Sequence, residues 1–101
     1  MKVTVKAFMK FTALKGINMK DMSALLKSVV GKTADIEIDA GAAAKDLVDA
    51  ARIALSLTDD SFSEVYLEII SEKKIDPGAK LSDIGLKEGS CVNIVFFKKV
   101  N

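Results

Sequence analysis

Few residues in this chain are of types that do chemistry. The single thiol is Cys91, the only adjacent carboxylates are Asp59 and Asp60, and histidine is absent. Without histidine there is no imidazole base to activate a serine or cysteine, and the usual zinc ligand set is incomplete. Cys91 opens an alternating apolar stretch, where a thiol with no activating neighbour behaves as a small hydrophobe. Asp59 and Asp60 sit in the polar stretch 58–63 and lack the opposed placement that a general acid and base require. A solvated loop is the simpler role for them, with weak cation binding the alternative. The expectation is therefore no enzyme: no catalytic residue, no metal site and no cofactor.

The chain has 101 residues, half of them hydrophobic, with 15 Lys and Arg against 14 Asp and Glu. That length is enough for one core without disulfides or metal, so residues 1–101 are read as a single domain. No apolar run is long enough to cross a membrane and nothing at the start resembles a signal peptide. With one cysteine, the expected compartment is the reducing cytoplasm. Charge is uneven, because residues 1–32 carry seven lysines and one acid, Asp21, and the acids dominate the remainder. Such asymmetry marks either a basic surface or two segments that lie side by side and neutralise each other. Arg52 is the only arginine and no aromatics interleave the basic stretch in a base-stacking pattern, so nucleic acid is not the expected partner.

The elements that must position these residues follow from periodicity. Met1–Phe8 alternates with Val3, Val5 and Ala7 on one face, and Thr33–Asp39 alternates with Ile36 and Ile38 inward. Paired antiparallel, these strands set lysines against acids. Between them Met19, Met22, Leu25, Leu26, Val29 and Val30 form an apolar stripe at helical spacing, with Asn18 as N-cap and Gly31 at C′. The stripe either packs on the sheet or offers a partner an adaptable face. The main helix spans Ala42–Leu57, with Ala44, Leu47, Val48, Ala51, Ala54 and Leu55 in its stripe. A strand follows at Val65–Ile70, then a very short one near Ile75 and a turn at Asp76-Pro77-Gly78. A single helical turn covers Leu81–Leu86, and Cys91–Lys98 is the last strand, with Val92, Ile94 and Phe96 inward.

This order, and above all Lys80–Phe96 (K-L-S-D-I-G-L-K-E-G-S-C-V-N-I-V-F), resembles the ubiquitin-like proteins. The opening M-K-V-T-V-K and the later G-K-T-A-D-I-E-I are similar to the first hairpin of ubiquitin. The resemblance covers residues 1–8 and 31–98, and departs at 9–30, where ubiquitin has a tight turn. It implies an α+β, β-grasp fold: a mixed sheet on one main helix, its first and last strands parallel at the centre, with an extra helix inserted at 9–30.

The resemblance also implies a role. Conjugated members and sulfur carriers end in Gly-Gly, but this sequence ends Lys98-Lys99-Val100-Asn101 and none of its glycines are adjacent. The expected function is thus a non-conjugated protein–protein interaction module or adaptor. Its apolar sheet face would carry Tyr66, Ile70, Asn93, Val95 and Phe97, edged by Lys2, Thr4 and Lys6. Either that face is open to another protein, or the 19–30 helix lies over it as a built-in partner; docking is expected through the sheet face or through that helix, whose partner-binding residues would be Met19, Met22 and Leu26. The start V-T-V-K-A-F-M-K-F-T-A-L-K-G is similar to the sulfur-carrier subunit of molybdopterin synthase, which gives a degenerate or truncated carrier as one alternative. The stretch A-A-R-I-A-L-S-L through K-L-S-D-I-G-L-K-E-G is similar to ubiquitin-like accessory proteins of type VII secretion, which gives another. A homodimer through a sheet edge is compatible with this reading.

Overall fold

A computed structural model describes residues 1–11, 26–58, 62–69 and 73–98. Alternation of Val3, Val5 and Ala7 with polar residues builds β1 (Lys2–Phe11), and these three side chains enter the core. The strand runs past the expected end at Phe8, because Met9 continues the alternation and packs against the core. Residues 9–11, which the sequence reading assigns to the segment between the first two strands, are part of β1. Next come β2 (Thr33–Glu37), α1 (Ala44–Ala54), β3 (Glu64–Ile69), β4 (Lys73–Lys74) and β5 (Cys91–Lys98). The strands form one mixed sheet in the order β2-β1-β5-β3-β4. β1 and β5 pair in parallel at its centre, and the other pairings are antiparallel. The last strand has the expected bounds; β2 and β3 are shifted or shortened by one or two residues.

The inner face of the sheet and α1 enclose the core. Val3, Val5, Leu47, Leu67, Leu81, Ile94 and Phe96 are fully buried there, and the Phe62 ring lies 5.0 Å from that of Phe96. Full burial of both central strands on this face follows from their position, flanked on each side by another strand. Helix α1 is shorter than the periodicity predicts. Asp46 accepts a hydrogen bond from the Ala43 amide at 3.1 Å and starts the helix. At the other end the Leu57 amide donates to Arg52 O (2.8 Å) and the Ser56 amide to Ile53 O (3.1 Å), with Ser56 at φ 59°. That pair of bonds is a Schellman ending, and it leaves Ala54 exposed instead of in the core.

The turns hold the expected residues. Gly78 N–H donates to Asp76 Oδ1 at 2.8 Å, and Gly85 and Gly89 have φ of 87° and 81°, where a side chain is strained. Residues 26–29 are helical and Gly31 follows at φ 88°. Val29 belongs to the core, whereas Val30 is exposed and leaves the predicted stripe. Asn18, Met19, Met22 and Leu25 lie outside the described residues.

Candidate interaction surface

Strand parity sends Lys2, Thr4, Lys6, Phe8 and Lys10 of β1 to the face of the sheet opposite α1. Cys91, Asn93, Val95 and Phe97 of β5 share that face, as do Glu64, Tyr66 and Glu68 of β3. The register joins them in rows: Phe8, Val95 and Tyr66 are side by side, and Lys10, Phe97 and Glu64 form the next row. Cross-strand neighbours of this kind lie about 5 Å apart.

Three aromatic side chains thus gather from three adjacent strands. Phe8 is 37% exposed, and Tyr66 and Phe97 are half-buried. Lysines cap two of the rings, with Lys6 Nζ 5.5 Å from the Phe8 centroid and Lys74 Nζ 5.2 Å from that of Tyr66. Lys74 also pairs with Glu64. Around the aromatics the face is charge-balanced: Lys2 Nζ is 3.6 Å from Asp35 Oδ2, and Lys10 Nζ is 2.8 Å from Glu68 Oε2. The lysine-rich start and the acidic remainder therefore lie side by side here and offset one another. Asp35 also accepts a hydrogen bond from Thr4 Oγ1 at 2.7 Å. That bond, with the Lys2 charge, holds its carboxyl below the usual carboxylate range.

Val95 lies on the outward face, as alternation predicts, and is 1% exposed. It sits at the centre of the sheet with Phe8 on one side and Tyr66 on the other. In the register, the line from Lys10 to Glu68 crosses the Val95 position, so the ion pair spans it diagonally. Asn93 is half-buried beside Glu68, and Leu26 is half-buried on the helical residues. Ile70, Met19 and Met22 lie outside the described residues, as do Asp59 and Asp60.

Two members were missed from sequence. Phe8 is outward by the same alternation that places Val5 inward, so its signal was present. The partnership of Lys10 with Glu68 depends on β1 continuing to Phe11, three residues beyond the strand that periodicity defined.

Cys91 is exposed and free. Among the described residues no group of three or more Cys, Asp or Glu is placed to hold a metal, and no helix is long and apolar enough to cross a membrane. Comparison with known proteins finds no matching family and no curated protein of significant sequence similarity.

Proposed function

We propose that this chain is a non-catalytic, ubiquitin-like interaction module of β-grasp type that docks another protein on the outer face of its sheet. The carrying observation is the convergence of Phe8, Tyr66 and Phe97 from three adjacent strands on one face, rimmed by lysines and carboxylates. Aromatic anchors inside a polar rim are what protein interfaces concentrate. The β-grasp reading is supported by the parallel β1–β5 centre, the strand order and the single helix that connects β2 to β3. A free, exposed Cys91 fits a reducing cytoplasm.

The test is site-specific photocrosslinking in the source cells, with a photoreactive phenylalanine at position 97 and, as control, at Ile53 on the exposed side of α1. A discrete protein adduct at 97, absent at 53 and lost on Phe8→Glu with circular dichroism unchanged, is the expected result. Equal labelling at the two positions would overturn it.

A further inference from the structure

The ion pairs of the outer face leave one cation over. Among the described residues, three lysines on this face meet a carboxylate: Lys2 with Asp35 at 3.6 Å, Lys10 with Glu68 at 2.8 Å, and Lys74 with Glu64. Lys6 meets none of the described carboxylates. Its exposed ammonium lies against the Phe8 ring, 5.5 Å from the centroid. A cation held at a ring in this way keeps N–H donors for a further group.

Beside Lys6 on β5 stands Asn93. It is half-buried, and its side-chain amide makes no hydrogen bond to any described residue. Polar groups drawn out of water are nearly always bonded. An amide with two open N–H donors next to an unpaired ammonium is therefore a place that an anion completes. Neighbouring strands lie about 4.8 Å apart, a gap that one carboxylate can bridge. Glu68, on the other side of Asn93, has its charge offset by Lys10.

The adjoining row supplies the apolar half. Phe8 is 37% exposed, while its β5 neighbour Val95 is buried. On the β2 side Ala7 N–H donates to Lys32 O at 2.9 Å. One step further the register sets Phe8 beside Gly31, which has no side chain to cover the ring. Lys6 and Phe8, two residues apart on one face of a strand, are about 7 Å apart.

We propose that the protein docked on this face presents an acid-x-apolar pair. Its Asp or Glu carboxylate accepts from Lys6 Nζ and the Asn93 amide, and its aliphatic side chain covers Phe8. This rests on docking at the outer face and names what the docked segment carries. Single-stranded nucleic acid fits less well, because its successive phosphates need a row of open cations and the other three lysines are already paired.

The test is amide-resolved NMR titration of the full chain with the blocked heptapeptide Ser-Thr-Glu-Thr-Leu-Thr-Ser, against the version with glutamine for glutamate. Expected are saturable shifts at Lys6, Phe8 and Asn93, with the glutamine peptide binding about two- to fivefold more weakly. Lys6→Gln should remove that preference and Asn93→Val should narrow it. Each readout is a ratio between two peptides on one variant, so a change in stability does not mimic it. No saturable shifts, equal affinity for the two peptides, a preference that survives Lys6→Gln, or tighter binding of a poly-dT strand than of the glutamate peptide would each overturn the proposal. A photoadduct at position 97 that persists undiminished in Lys6→Gln would overturn this pairing and leave docking standing, whereas no adduct at 97 in the parent would remove both.

Discussion

Replacing Lys10 with Met keeps an unbranched aliphatic side chain at this position and removes the charge that pairs with Glu68. The Glu68 side chain is 10% exposed and that of Lys10 is 44% exposed. The pair thus lies between an exposed bridge, worth about 0.2–1 kcal/mol, and a buried one, whose breakage costs about 3–5 kcal/mol. Hydrogen bonds to charged groups contribute about 1.5–3 kcal/mol, which places the loss near 2 kcal/mol. For a domain of this size each kcal/mol lowers Tm by about 4–8 °C, so Lys10→Met should melt roughly 8–16 °C below the parent. Urea unfolding at pH 7 gives the same quantity as a shift in midpoint at constant slope. Glu68→Gln and the double variant complete a cycle whose coupling should reach at least about 1 kcal/mol. A cycle near zero, with Lys10→Met costing under about 0.5 kcal/mol, would mean that solvent already screens the pair and that Glu68 is held by something other than Lys10.

Ser56 occupies the C′ position of α1 at φ 59°, and its side chain is exposed. Ser56→Gly should stabilise the chain by about 0.5–1 kcal/mol in denaturant titration, since glycine adopts this conformation without a Cβ clash. The Asp35 carboxyl has a folded pKa below its unfolded one, so its contribution to stability is complete above about pH 4. That contribution fades as pH falls through the folded value. In a carbon-detected NMR titration Thr4→Val should move the Asp35 midpoint up towards the ordinary carboxylate range, because the Thr4 hydrogen bond is the largest cause of the depression.

Much of the architecture was legible because it rests on period-two alternation. Val3, Val5 and Ala7, and again Val92, Ile94 and Phe96, face inward as their spacing requires. Turn positions were equally clear, since Asp76-Pro77-Gly78, Gly85 and Gly89 have local physical reasons to be where they are. The ends of elements were less so. Helix α1 stops three residues before its expected end at Leu57, because its ending is set by the bonds from Ser56 and Leu57 back to Ile53 and Arg52. These let Leu55 and Leu57 enter the core from outside the helix. Burial of Val95 was hidden for another reason. Alternation assigns a residue to a face, but whether that face is open depends on side chains from other parts of the chain, which period-two spacing does not reveal.

The composition of the β2 edge bears on self-association. Ile38 N–H donates to Met1 O and Ala7 N–H to Lys32 O, so the even-numbered residues of β2 bond to β1 and Thr33, Asp35 and Glu37 direct their backbones outward. An antiparallel copy of β2 centred on Asp35 would bring the two Asp35 carboxylates opposite each other at about 5 Å, which is unfavourable. Thr4 and Lys2 keep that carboxylate ionised, and charge on an edge strand is an established guard against pairing. Asp35→Val should therefore increase self-association, seen as a rise in weight-average mass with concentration in sedimentation equilibrium, and Asp35→Lys should not. If Asp35→Val stays monomeric at concentrations of about 1 mM, the edge is protected by twist or by neighbouring segments and not by charge.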